Sequence, residues 1–300
     1  SDFRDHPVTK LISRIIELHD SSIFDVRAYS LFNEIEDEYT QYIKNSVNKF
    51  IDLSDKGDDE IVSIIRKEKL DIAIDLMGFS RNAKPIIYAK RIAPIQINYL
   101  GYPGTMGSNF MDYIIADKIL IPDEDKKFFS EKVMYLDKSP LFFDDRLISN
   151  IKNNLREKYN LPEKGFIFSC FNNNLKICPN VFEIWMQILH EVKDSIFWLY
   201  ASNQQSKNNL IKRAELFNIS KERLFFADYI PIRQHLERHS QSDLFLDTFN
   251  FSAGATAVFS ILSCCPIVTY CGNSYYSRMS ASLLSSLNLE ELIAYSHQEY

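Results

Sequence analysis

The constraint that most narrows the fold is a regular exchange of short apolar runs for amphipathic stretches, with no hairpin signal between them. Asp71–Leu76 (DIAIDL), Ile95–Leu100 (IQINYL), Phe166–Ser169 (FIFS), Ile196–Tyr200 (IFWLY) and Leu244–Leu246 (LFL) have the length and β-rich content of buried strands. Apolar stripes at helical spacing recur among them. Leu11, Ile12, Ile15 and Ile16 follow His6-Pro7; Ile61, Ile64 and Ile65 follow Asp58-Asp59; Val181, Ile184, Trp185 and Ile188 follow Pro179. Further strands are expected at Phe24–Tyr29, Phe50–Leu53, Met111–Ala116, Lys132–Leu136, Leu224–Phe226 and Pro266–Thr269. Helices are expected at 83–91, 205–218, after Pro231, at Thr256–Ser263 and from Tyr276 to about Leu287, with a polar connection between Tyr29 and Phe50. Strands joined through helices must run parallel, so the pattern predicts βαβ units.

Three hundred residues leave room for two cores. From Asp137 to about Asn160 the alternation fades into charged, Asn-rich sequence, which places a domain connection there and predicts domains at 1–150 and 151–300. The expected class is α/β, with two Rossmann-like domains of parallel sheet facing across a cleft, a favoured kind of ligand site.

The formal net charge of −6 argues against a nucleic-acid partner, which would call for a basic face. Cysteines 170, 178, 264, 265 and 271 form no CxxC pair and no Cys/His spacing suited to zinc, so reduced thiols, no metal and a cytoplasmic location are expected. No apolar run reaches the roughly 18–20 residues of a membrane span, and no signal peptide is evident. The chain opens on Ser1 and stops at Tyr300 in a polar segment, and reads as a piece of a longer one.

Several stretches have the makings of a site. Phe166–Pro179 (FIFSCFNNNLKICP) reads as strand, polar loop and helix start, so Lys176 stands where an anion would meet the carboxyl end of a strand, or else on an ordinary surface loop. Gly101–Gly107 (GYPGTMG) sets three glycines and a proline past a strand, suited to close backbone approach or simply to a tight turn; it lacks the GKS/T of a P-loop. Ser252–Thr256 (SAGAT) puts small residues at a helix start, leaving amides open to a diphosphate or allowing close helix packing. His235 and Arg238 share a helix face, either to hold a nucleobase or as solvated surface. His6 beside Pro7 is a candidate base for near-neutral chemistry, or a helix cap. Asp75, at the end of its strand, is a candidate functional carboxylate or the cap of the following turn. No Ser-His-Asp arrangement or metal cluster is evident.

Taken in order, SDFRDHP (1–7), DLMGFS (75–80), RIAPIQINYLGYPGTMGSNFMDYIIAD (91–117), CFNNNLKICP (170–179), DLFLDTFNFSAGAT (243–256) and SRMSASLL (277–284) resemble the catalytic region of the O-GlcNAc transferase/SPINDLY family of glycosyltransferases over nearly the whole chain. The resemblance implies a GT-B fold and inverting, metal-independent transfer of a sugar from a nucleotide donor to Ser or Thr of protein acceptors. Lys176 matches the lysine that neutralises the leaving diphosphate, and Asn173 a polar donor-binding position. His235 and Arg238 match the base-contacting pair, with Ile230 presenting backbone. Gly254, Ala255 and Thr256 match the phosphate-binding helix start, Gly101 the sugar-facing loop, and His6 a disputed base near the acceptor. Tetratricopeptide repeats upstream and a C-terminal helix beyond Tyr300 are expected of such a family in a longer chain.

The chain departs from that pattern at the sugar end. Gly254 stands where animal members carry a histidine, Phe259 near an aspartate, Ala255 in place of a threonine, Ile232 in place of a lysine, and Phe79-Ser80 in place of His-Thr. UDP-GlcNAc is the donor expected first. GDP-fucose, a UDP-hexose and a non-catalytic nucleotide- or partner-binding role stay open.

Overall fold

The computed structural model describes residues 2–32, 36–144, 146 and 155–300. It divides into two compact units, Ser1–Asp144 and Asp145–Tyr300, whereas the boundary expected at 150/151 lies outside the described residues.

The first unit carries α1 (Pro7–Glu17), β1 (Arg27–Ser30), α2 (Glu38–Ser46), β2 (Lys49–Asp52), α3 (Asp58–Lys67), β3 (Ile72–Asp75), α4 (Pro85–Ala89), β4 (Ile95–Asn98), β5 (Tyr113–Ala116) and β6 (Lys132–Tyr135). Its strands form two parallel sheets, β1-β2 and β3-β4-β5-β6. Pro7 opens α1 because its missing N–H would lack an intrahelical partner at that position anyway. Helix α2 falls inside the stretch read as a polar connection. Only Thr40 and Ile43 of its nine residues are buried, so the apolar period is too thin to show. What starts it is a capping box, Asp37 accepting from the Thr40 amide while the Thr40 hydroxyl accepts from Asp37. The strand expected at Phe24–Tyr29 begins later, at Arg27, and Phe24 lies exposed, edge-on to His19.

The second unit carries β7 (Phe166–Cys170), α5 (Pro179–Glu191), β8 (Ser195–Tyr200), α6 (Gln204–Glu215), β9 (Leu224–Ala227), α7 (Ile232–His239), β10 (Leu244–Leu246), α8 (Ala255–Leu262), β11 (Ile267–Tyr270), α9 (Tyr275–Ser286) and β12 (Ile293–Ala294). All strand pairs are parallel, in the order β9-β8-β7-β10-β11-β12. Counted from β7 this is the 3-2-1-4-5-6 order of a doubly wound sheet, whose direction of winding reverses between the first and fourth strands. Helices cover both faces of such a sheet, which is why Ile167, Phe168, Ser169 and Cys170 of β7 are all buried and read as an unbroken apolar run rather than an alternating one. Helix α6 stops before the expected 218 because Asn218 takes a left-handed φ of 55°, which ends a helix.

In the first unit the bend after β4 is fixed by Gly101. A Cβ built there would fall inside the Leu76 carbonyl, so a backbone-to-backbone approach excludes any side chain. Gly57, the N-cap of α3, has open space at the same test and a negative φ. Gly101→Ala should therefore lower stability by about 3 kcal/mol or more, the scale of a clash that side-chain movement cannot relieve, whereas Gly57→Ala should change it by about 1 kcal/mol or less. Thermal unfolding of the two variants checks the contrast.

Candidate functional site

The reversal point of the second unit's sheet is where the sequence had placed Lys176. The loop leaving β7 makes one 3-10 turn, Asn174–Lys176, started by Asn173, whose side-chain oxygen accepts the Leu175 amide at 3.0 Å. Asn173 is exposed and the partly buried Lys176 turns inward. Its ammonium donates to the Ser252 carbonyl at 2.9 Å and sits 4.0 Å from the centroid of the Phe251 ring. Burial pushes the lysine down to about 8, opposed by the negative charge of Asp247. Both contacts come from the loop after β10. Lysine and SAGAT segment are thus brought together across the seam between the two halves of the sheet.

That seam is organised by a carboxylate which reading the sequence had passed over. Asp247, fully buried at the end of β10, takes five donors. The Asn172 amide (2.9 Å), the Thr248 N–H (2.7 Å) and the Ala253 N–H (2.8 Å) reach one oxygen; the hydroxyls of Thr269 (2.8 Å) and Ser280 (2.5 Å) reach the other. Burial pushes this carboxyl up, and its donors, Ser280 foremost, pull it back. The visible signal was a charged residue closing an apolar strand, LFLD, where a buried acid requires partners.

Gly254 is the N-cap of α8 and offers no side chain, so the first amides of the helix carry no side-chain cap beside the partly open Ala255 and Thr256. The glycine is not forced by geometry: its φ is −101°, and a Cβ would meet only the flexible Met279 side chain, at 3.4 Å. Phe259, further along α8, is buried and faces His235 with ring centroids 5.8 Å apart.

His235 and Arg238 do share a face of α7, but it is not a solvated one. Arg238 is only 4% exposed. Its guanidinium donates to the Asp228 carbonyl (2.7 Å) and to His235 Nδ1 (2.6 Å) and stacks 4.5 Å from the Phe171 ring, while burial lowers it to about 10. Ile230, in the loop leading into α7, is half-buried, and Ile232 is buried.

The remaining expected residues lie in the first unit, around a pocket of about 290 Å³ lined by Asp2, His6, Leu76, Ser80, Arg81 and Gly101 among others. His6 is the N-cap of α1, its Nδ1 accepting from the Val8 amide at 3.3 Å, with an Asp2 carboxylate oxygen 3.7 Å from the same nitrogen. Burial holds the imidazole below its usual range, with Asp2 opposing. Of the three glycines in GYPGTMG only Gly107 uses a positive φ (58°); the loop is held instead by the buried Glu131, which accepts from the Met106 amide and the Thr105 hydroxyl, each at 2.6 Å. Asp75 is buried and accepts the Met77 amide at 2.9 Å, as a turn cap does.

The model of glycosyl transferase family 41 matches residues 1–153 and 144–300. The chain belongs to glycosyl transferase family 41. A probable UDP-N-acetylglucosamine–peptide N-acetylglucosaminyltransferase SEC of Arabidopsis thaliana is 30% identical over 307 residues, covering all of this chain and 31% of that protein. A SPINDLY protein of Oryza sativa subsp. japonica, described as a probable enzyme of the same activity, is 29% identical over 310 residues and 33% of its length. The chain spans about a third of the length of the curated relatives it matches. A solved O-GlcNAc transferase of Thermobaculum terrenum, a K341M mutant, superposes with a TM-score of 0.90 at 25% identity, covering 100% of this chain and 56% of that one. With this family match, the fold class is the α/β GT-B type. Among the described residues no helix is long and apolar enough to cross a membrane, and no three His, Cys, Asp or Glu side chains gather as a metal site.

Because five donors converge on Asp247, Asp247→Ala should strand buried groups and cost about 3–5 kcal/mol. Asp247→Asn keeps one acceptor oxygen and should cost about half as much. Urea denaturation of both variants measures the difference; equal and small losses would contradict the role of this carboxylate as the anchor of the seam.

Proposed function

We propose that this chain carries the donor-binding and catalytic region of a glycosyltransferase that moves N-acetylglucosamine from UDP-GlcNAc to Ser or Thr hydroxyls of proteins, with inversion at the anomeric carbon and without a metal. The observation that carries the proposal is Lys176, a cation partly stripped of water and held on the Ser252 carbonyl, just before the open first turn of α8. A departing diphosphate needs such a group. As the acceptor oxygen bonds to the anomeric carbon, the bond to the diphosphate breaks and its electron pair moves onto a phosphate oxygen. Lys176 and the amides of Ala255 and Thr256 stabilise that charge, and Asn173 and the His235/Arg238 end of α7 hold the rest of the nucleotide. In this proposal the Gly101 loop is assigned to the sugar and the Ile230 backbone to the base.

The acceptor's proton is the part assigned to His6, and the geometry sets a condition. A neutral imidazole whose Nδ1 accepts the Val8 amide carries its proton on Nε2 and is a donor. It takes a proton at Nε2 only when its own sits on Nδ1, turned towards Asp2 at 3.7 Å. His6 thus serves as base through Asp2, or as a donor that orients the acceptor.

Lys176→Ala should lower turnover by about 100-fold or more while leaving the melting temperature nearly unchanged; a variant keeping more than about a tenth of the activity would sink the assignment. The lysine acts when protonated, so kcat/KM of the unaltered protein should fall as pH rises through about 8. Removing the Asp247 charge, which supports the ammonium, should move that fall to lower pH in Asp247→Asn. Turnover should survive EDTA, and loss of activity restored by added magnesium would overturn the metal-free reading. A thermal-shift panel of UDP, GDP, UDP-GlcNAc, UDP-glucose and GDP-fucose identifies the donor, since a ligand at about 100 times its Kd adds about 2.7 kcal/mol. The unforced Gly254 is the reason to include the other sugars.

A further inference from the structure

Helix α7 carries a second histidine, with no part in the chemistry above. His239 is fully buried at the helix's last position, edge-on to Phe171 (ring centroids 4.8 Å apart) and stacked on Phe245 (5.9 Å). Its Nε2 lies 3.3 Å from Nε2 of His235, one turn earlier. Two imidazole nitrogens at this distance share one proton, and Arg238 decides which ring supplies it. A guanidinium only donates, so His235 Nδ1, 2.6 Å from Arg238, is an acceptor. Neutral His235 then carries its proton on Nε2 and gives it to His239 Nε2. The proton of His239 is left on Nδ1, a nitrogen buried with no hydrogen-bond partner among the described residues. The order of donation is fixed from one end: Arg238 to the Asp228 carbonyl and to His235, then His235 to His239.

We propose that His239 is a positioning residue for nucleotide binding: by accepting the Nε2 proton of His235 it locks that ring's tautomer and orientation at the base-binding end of the donor site. This inference rests on the proposed nucleotide-binding function. Polar buried groups of this kind specify one arrangement, because each alternative leaves a donor facing a donor. A flipped His235 ring would lose both the Arg238 and the His239 contact. Burial reinforces the arrangement by holding His239 well below its ordinary range, with the neighbouring His235 and Arg238 acting in the same direction.

The first test needs no mutation. The chain has six histidines, few enough for assignment in a nitrogen-15 long-range correlation spectrum of the histidine-labelled protein. At pH 7 the expected spectrum has His235 neutral and protonated on Nε2, and His239 neutral and protonated on Nδ1. A His239 carrying its proton on Nε2, or a charged His235, overturns the relay. The second test separates base from phosphate by titrating UDP and inorganic pyrophosphate into the unaltered protein and two variants. His239→Leu removes the acceptor and should weaken UDP about five- to tenfold, the worth of about one hydrogen bond, with pyrophosphate affinity unchanged. His239→Gln keeps a side-chain acceptor and should restore most of the loss. Equal UDP affinity in all three proteins would refute the positioning role while leaving the nucleotide site intact. An unaltered protein that binds neither ligand would refute the nucleotide reading itself, and this role with it. Should both variants fail to fold, the spectrum of the unaltered protein decides.

Discussion

A buried carboxylate with no salt-bridge partner among the described residues holds the second unit together at its candidate site. Asp247 ties the loop after β7, its own loop, the segment before α8, strand β11 and helix α9 to one pair of oxygens. Left unmatched, such a group would cost several kcal/mol. Fully matched, it turns that penalty into specificity, because only one arrangement of five segments satisfies it. Lys176 depends on this indirectly. Its anchor, the Ser252 carbonyl, keeps its place because the neighbouring Ala253 amide is held by Asp247 and the Ser252 hydroxyl bonds the Tyr276 carbonyl at 2.9 Å.

The two cations of this unit show the same economy in different forms. Arg238 is buried and gives its two terminal nitrogens to a carbonyl and an imidazole, so it braces α7 from within. Lys176 is only partly covered, with an aromatic ring and one carbonyl as company. The first suits permanent structure, since a guanidinium stays charged even when burial lowers it to about 10. The second suits a group that answers to a ligand, because an ammonium lowered to about 8 gains proton affinity as soon as a phosphate arrives.

Much of the architecture was legible because the elements that matter are periodic. The apolar run FIFS announced a buried strand, and the stripe Val181, Ile184, Trp185, Ile188 announced its helix. Lys176 and the SAGAT segment could be marked as candidates from their places after strands. What the sequence could not display was adjacency. Nothing local puts β10 beside β7, yet that pairing brings Lys176 to Ser252. Helix α2 escaped notice because so little of it is buried, and its capping box was the better sign. Nothing in the sequence singles out His239, since the rings that enclose it, Phe171 and Phe245, belong to other elements. His6 was legible as a cap from its neighbour Pro7, but not its contact with Asp2.

The strand order of the second unit also sets when its site can come into being. The bond from Asn172 to Asp247 closes a loop of 75 residues, that from Lys176 to Ser252 one of 76, and Ser280 adds a further 33 beyond Asp247. During synthesis at about 5–20 residues per second, the lysine loop therefore leaves the ribosome several seconds before its partners. Until β10 arrives, β7 lacks a neighbour on that side, and until α9 follows, the carboxylate lacks its last hydroxyl. The site is a late product of folding, and the half-built sheet edge at β7 is the surface on which a nascent chain of this kind is most exposed to wrong pairing.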